Sequence, residues 1–362
     1  MGNWKSGELG DFVTFKRGFD LPQQKRENGQ VPIFSSSGIT GTHSTAMVKA
    51  PGVITGRYGT IGEVFYAAED FWPLNTTLFV ENYHGNDAKF IYYFLKTLEW
   101  SKFTSASAVP GINRNTVHKE IVSLPDIETQ KRIASTLSML DEKIKTNTEI
   151  NDNLQQQAAA LFSSLYDQSN TEVRFTDLIQ ILGGGTPKTG ENSYWNGNIA
   201  FFTPKDVGTP YTLITEKTIS KEGLSHCNSR LYPVNTVFVT ARGTVGKVGM
   251  SGVPMAMNQS CYALVGKETH QLLVYFYTLK AVDRLKHKAS GAVFDAITTR
   301  DFESEQIMKL SDDDATAFLR VAEPMFQEVL NNNIENLRLS TLRDSLLPKL
   351  MSGEIDVSAV LL

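Results

Sequence analysis

A chain of 362 residues with 41% hydrophobic content has room for two or three domains, and its net charge of −4 argues against wholesale coating with nucleic acid. No apolar run approaches the ~20 residues of a membrane-spanning helix, and Met1 to Ser6 lack an apolar signal core. Two cysteines, Cys227 and Cys261, supply neither a disulfide framework nor a zinc site, so the expected compartment is a reducing cytoplasm, without membrane association.

Residues 1–125 read as a mixed α/β block. Apolar runs at 31–34, 52–55 and 63–66 are punctuated by Gly, Pro and Ser, as short strands are. The spacing of Phe90, Ile91, Phe94, Leu95 and Leu98 predicts a helix over 88–103. Asp126 then caps one long helix over 126–166. Its seam runs Ile133, Leu137, Leu140, Ile144, Asn147, Asn151, Leu154, Ala158, Leu161 and Leu165, in alternating steps of three and four. So narrow a stripe covers a partner helix rather than a broad core.

The second half repeats the plan. Arg57-Tyr58-Gly59-Thr60-Ile61-Gly62 is echoed by Arg242-Gly243-Thr244-Val245-Gly246, and Pro73-Leu74-Asn75-Thr76 by Ala256-Met257-Asn258-Gln259. Tyr92-Tyr93-Phe94 pairs with Tyr275-Phe276-Tyr277, Ala108-Val109 with Ala292-Val293, and Ile112 with Ile297. Farther upstream, Glu8-Leu9 pairs with Asp177-Leu178, so the second block carries extra residues in its first part. A second long helix starts near Ser311. Its seam, Phe318, Ala322, Met325, Val329, Asn332, Asn336, Leu339, Arg343, Leu346 and Leu350, reproduces the first seam 185 residues on, asparagines included. Pro324 predicts a kink, or a short helix over 312–322 followed by a longer one from 324 to about 347.

These positions divide the chain into blocks 1–125 and 171–310 and helical segments 126–170 and 311–362. The helical segments are net acidic and the blocks lean basic, which fits protein contact by the former and DNA contact by the latter. Tandem halves favour antiparallel packing about a pseudo-twofold axis, with Asn147 facing Asn336 and Asn151 facing Asn332 as register-setting residues. About 40 residues make a rod of roughly 60 Å, against ~34–36 Å for one turn of B-DNA.

Catalytic motifs are missing. Gly185-Thr186-Pro187-Lys188 lacks the Gly-Lys-Ser/Thr ending of a phosphate loop, no hydrolase or zinc-protease signature occurs, and no adenine-methyltransferase run is found. The six histidines are scattered, so neither a metal nor a cofactor is expected. What remains is a set of polar, Gly-rich loops. Ser35, Ser36 and Ser37 cluster hydroxyls, and Lys205 and Asp206 pair opposite charges. Arg57 and Arg242 open the Gly-Thr-x-Gly loops and have the geometry to bond guanine; Tyr58, Thr60 and Thr244 lie on the same loops. Asn75, Asn258 and Gln259 carry amides suited to adenine. Lys286 and Lys288, flanking His287, suit phosphate, and Thr186 and Lys188 complete the candidate DNA contacts.

Four stretches carry a family resemblance. They are Leu124-Pro125-Asp126-Ile127-Glu128-Thr129-Gln130, Asn147-Thr148-Glu149-Ile150-Asn151, Gly183-Gly184-Gly185-Thr186-Pro187 with Tyr194-Trp195-Asn196-Gly197, and Leu346-Leu347-Pro348-Lys349-Leu350-Met351-Ser352-Gly353. With them the chain resembles the specificity subunits of type I restriction–modification systems over nearly its whole length. The resemblance implies an α+β fold: two tandem mixed α/β target-recognition domains joined by two long helices that form an antiparallel coiled coil. It implies a non-catalytic subunit without cofactor, reading a bipartite site on double-stranded DNA. Two modification (methyltransferase) subunits would dock on the helices, and restriction subunits would join through that complex. The second helix departs from the pattern, since Leu310-Ser311-Asp312-Asp313 lacks the Pro and Glu-Gln that open the first. A scaffold with two protein-binding modules, or a methyltransferase or nuclease with an unrecognised site, are the alternatives.

Overall fold

The computed structural model describes residues 4–104, 111–208, 210–288 and 296–357; the echoed Ala108-Val109 and Ala292-Val293 lie outside them. The chain divides into two compact units, Met1–Ile144 with Arg338–Leu362, and Lys145–Leu337.

In the first unit, Lys5–Glu8 pairs antiparallel with Ile121–Leu124 and ties the two ends of the block together. A four-stranded sheet follows the order Thr14–Arg17, Thr77–Asn82, Gly52–Gly56, Val64–Ala67. A three-stranded sheet follows the order Gly38–His43, Val31–Ser35, Trp72–Pro73, its last pair parallel. The second unit has the same plan. Thr171–Arg174 pairs with Gln306–Lys309. The larger sheet runs Ile179–Gly183, Cys261–Gly266, Val237–Thr240, Val248–Ser251, and the smaller Lys217–Ile219, Trp195–Phe202, Met255–Met257, again with a parallel last pair. Tyr211–Thr212 adds an edge strand to the larger sheet and falls in the extra residues expected of this block. Gly52–Gly56 and Val237–Thr240 are inner strands buried at every residue, which is why each reads as an unbroken run rather than an alternation.

The main-chain pairing refines the repeat. Leu9 N donates to Glu120 O and Phe175 N to Glu305 O, so Leu9 matches Phe175, an offset of 166 and not the 169 expected upstream. The predicted helix over 88–103 ends early. It spans Ala88–Lys96, and a 3₁₀ turn, Trp100–Phe103, follows. Thr97 Oγ1 bonds Phe94 O at 2.7 Å and Trp100 Nε1 takes Leu95 O at 2.9 Å, which satisfies carbonyls that a longer helix would have used.

The central helix spans Ile127–Gln168 and the C-terminal helix Asp312–Ser352. Asp126 Oδ1 caps the first through Thr129 N (2.9 Å), and Ser311 Oγ caps the second through Asp314 N (3.1 Å). Of the two outcomes expected at Pro324, the division into a short and a longer helix does not occur: one helix passes through it and through Pro348. Pro324 and Arg320, whose carbonyl loses its helical donor, are both exposed, so solvent can satisfy that carbonyl. The helix stops instead at Gly353, which takes the left-handed φ of +74° that favours glycine.

Within each unit the two helices run antiparallel. In the second unit, Phe162 meets Phe318 and Asn151 meets Asn332 and Asn333. In the first, Asp141 meets Arg343 at 2.6 Å, and Ile133 and Leu137 share a core with Leu350 and Met351. The narrow seam holds only along the middle of the helices. Toward the end of the central helix the deepest residues are Phe162 and Tyr166, with the expected Leu161 and Leu165 only partly buried. There the helix packs on Gln271–Lys288 as well as on its antiparallel partner, so its buried face broadens.

Candidate nucleic-acid interface

In the first unit three loops come together at one end of the strands. Arg57 N and Tyr58 N both donate to Thr76 O (2.8 and 3.2 Å), and Leu74 N donates to Phe34 O (2.8 Å). The Ser36 side chain sits against Gly56 and Gly59. Ser35, Ser36, Ser37, Arg57, Tyr58, Thr60 and Asn75 thus share one rim. The Ser35 and Ser37 hydroxyls bond each other at 3.0 Å and Ser35 also bonds Gly38 O, so they shape the turn. The Arg57 guanidinium lies over the Tyr58 ring, 4.5 Å from its centroid. A fourth segment joins the rim. Gly18 passes so close to the Leu74 carbonyl that a Cβ would lie 2.1 Å from its oxygen, and Asn75 Nδ2 donates to the Asp20 carboxylate.

The second unit builds the same rim. Ala241 N and Arg242 N donate to Ser260 O (2.8 and 3.3 Å), and Asn258 N donates to Phe202 O (3.0 Å). Thr244 Oγ1 reaches Pro204 O at 3.3 Å. Gly184 makes the close approach, to Asn258 O, and Thr186 Oγ1 donates to Gln259 Oε1. Gly59 and Gly62 have φ of +77° and +86°, and Gly243 and Gly246 of +83° and +75°, so each pair of glycines serves one turn geometry.

These bonds shift two of the sequence pairings by one residue. Ile112 N bonds Arg57 O, and Ile297 N bonds Ala241 O, both at 3.0 Å. Tyr58 bridges Gly111 where Arg242 bridges Ala296. Arg242 therefore occupies the place of Tyr58, and Ala241 that of Arg57. By the same reasoning Leu74 matches Asn258, and Asn75 matches Gln259.

Other candidates have structural duties. Asp206 accepts from Thr203 N (2.8 Å), Thr203 Oγ1 (2.6 Å) and Glu216 N (2.7 Å), so its carboxylate staples its own loop. Asn258 Oδ1 accepts from Ser260 N at 3.0 Å and holds the turn. Lys205 pairs with Glu216 at 3.4 Å and stays largely exposed. Lys188 is exposed, its carbonyl taken by Trp195 Nε1. Lys288 is engaged within the fold, although its side chain stays more than half exposed. Its Nζ lies 2.5 Å from Glu305, a carboxylate with no solvent exposure that also pairs with Arg284. Burying that carboxylate requires cations beside it. Lys286, two residues earlier and so on the other side of the helix, lays its stem against Gly246 and so joins the Arg242 loop. Asp20 was missed by sequence reasoning; aligning Gly18 with Gly184 at the 166-residue offset would have brought Asp20 opposite Thr186.

The helix pair carries a polar layer of its own. Asn147 Nδ2 bonds Glu335 Oε2 (2.7 Å) and Asn336 Oδ1 (2.9 Å), and Asn151 bonds Asn333 and Asn332 at 2.9 Å each. Asn147 is fully buried and Asn151 and Asn332 nearly so. Among the described residues no group of three or more His, Cys, Asp or Glu is placed to hold a metal ion, and no helix is long and apolar enough to cross a membrane. Burial pushes the Cys261 thiol up to about 12, out of reach of thiolate chemistry at neutral pH.

Known proteins share this architecture. The chain is 24% identical to the Type I restriction enzyme HindI specificity subunit of Haemophilus influenzae, over 72% of this chain and 75% of that protein. It is 28% identical to the EcoR124I/EcoR124II specificity subunit of Escherichia coli, over 52% of this chain and 50% of the relative. The solved Type-I restriction-modification system S subunit from M. genitalium matches with a TM-score of 0.68 over 96% of both chains at 16% identity, a likeness of fold. The Type I restriction modification DNA specificity domain matches residues 1–156 and again 168–309. With two copies of that domain spanning most of its length, the chain belongs to the type I restriction–modification specificity family.

Proposed function

We propose that the chain is the non-catalytic, DNA-reading subunit of a type I restriction–modification enzyme. Each loop rim reads one half of a bipartite duplex site. The observation that carries this reading is the duplicated rim: one backbone scaffold, built twice, that presents different side chains at matching positions. Identical scaffolds with different rims suit two reading heads with different base preferences. The two long helices, each unbroken, form a coiled coil that sets the number of base pairs between the half-sites. Two modification subunits dock on their outward faces, where Met139, Ile150, Val321 and Leu342 are exposed apolar residues on otherwise polar helices, and restriction subunits join through them. DNA as the substrate makes the cytoplasm the place of work.

Selection from a random duplex pool, with the chain assembled with its modification subunits, tests this. The expected product is two short sequence blocks separated by a fixed, unselected gap. Binding should also weaken steeply with salt, as phosphate contact requires. A single continuous block, or no enrichment, contradicts the reading.

A further inference from the structure

The corrected pairing of the two rims separates two arginines that the sequence equates. Arg57 occupies the position of Ala241, and its guanidinium is folded onto the Tyr58 ring. Arg242 occupies the position of Tyr58, on the opposite side of the strand end, and is exposed. We propose that Arg242 is a specificity-determining residue that demands a guanine in the half-site read by the second unit, and that Arg57 makes no equivalent demand in the first. This rests on the DNA-reading function proposed above.

Four observations support it. The Arg242 backbone is held on both sides, through Ser260 O and the Ala296 bridge, so the side chain starts from a fixed point. The turn beyond it is set by Gly243 and Gly246 and pinned by Thr244 to Pro204. No carboxylate within ion-pair distance of Arg242 is found among the described residues, and the nearby Asp206 is fully engaged in its own loop. Lys286, with its stem on Gly246, brings a second cation beside the same loop. A flexible ammonium on a helix end suits a phosphate, whereas a planar guanidinium on a rigid turn suits the paired O6 and N7 acceptors of guanine. The two residues therefore divide the work: Lys286 anchors the backbone and Arg242 reads the base.

The test is methylation mapping of genomic DNA in cells carrying the complete system with Arg242→Ala, Arg242→Lys or Lys286→Ala. Both Arg242 variants are expected to relax one guanine position in one half-site, with discrimination there falling roughly five- to a hundredfold. The lysine keeps the charge but loses the two-pronged geometry, so it should behave like the alanine. Lys286→Ala should leave the motif intact and lower only the extent of methylation. An unchanged motif in the Arg242 variants, or a wild-type motif with Arg242→Lys, would overturn the proposal in favour of a phosphate contact. A wild-type motif that is not bipartite would instead remove the function on which it rests.

Discussion

Phe162→Ala is expected to destabilise the second unit by about 3–5 kcal/mol, the range for emptying a buried aromatic site. The ring is 1% exposed. It stacks on Phe276 at 4.9 Å and meets Tyr277 and Phe318 edge-on at 5.5 Å. Those neighbours cannot easily close over the space, because Phe276 is itself braced by Phe318 and Phe326. For a unit of this size the loss corresponds to a fall in melting temperature of roughly 6–20 °C, readable by calorimetry. Leu161→Ala, one residue earlier and only partly buried, is expected to cost clearly less. A pure heptad seam gives the reverse order, since it places Leu161 inward and Phe162 beside it. Equal or inverted costs would show that the helix docks through its coiled-coil stripe rather than through the broader face described above.

Asn151→Ala is expected to cost about 1–3 kcal/mol, because it strands the buried amide of Asn332, whereas the half-buried Asn333 can turn to solvent. Asn332 Nδ2 donates to Asn151 Oδ1, and Asn151 Nδ2 donates to Asn333 Oδ1. The double variant Asn151→Leu with Asn332→Leu removes both partners of the central bond. It should recover most of that loss and can exceed the wild type, since apolar replacement of a buried polar pair is often neutral or stabilising. The register should suffer once the second asparagine layer is removed as well. An asparagine layer disfavours every sliding of the helices that would oppose Asn to Leu, and Asn147 with Asn336 still forms such a layer in the double variant. The expected signature is a double variant that melts at or above the wild-type temperature and, once Asn147→Leu and Asn336→Leu are added, methylation of sites with more than one spacer length. A stable quadruple variant with one unchanged spacer would mean that the asparagines do not set the register.

Much of this architecture was legible in the residues. The heptad period of two segments, and above all two asparagines recurring in phase 185 residues apart, identified the helix pair, and the tandem repeat of the halves its antiparallel direction. Asparagine is costly in a seam, so its repetition carries more information than another leucine. The Gly-Thr-x-Gly loops marked the rims because left-handed turns demand glycine at fixed places. Other features depend on contacts that no local pattern encodes. Arg57 and Arg242 align by identity, yet main-chain bonds to Thr76 and Ser260 put them one position apart. At a strand end one position reverses the face. Lys288 looked like part of a basic cluster until the fold buried Glu305 beside it. Pro324 and Pro348 sit in an unbroken helix because both face solvent, and the seam on the opposite side holds the helix together. Asp20 went unnoticed because its role depends on the turn that brings Asn75 within reach.

Independent reading of one half-site by each unit is tested by replacing residues 3–122 with the corresponding block of another family member, assembling the hybrid with the modification subunits, and mapping methylated genomic sites. One half-site should change while the other half-site and the spacer stay as they were. Changes in both half-sites, or in the spacer alone, would show that the two units do not read independently.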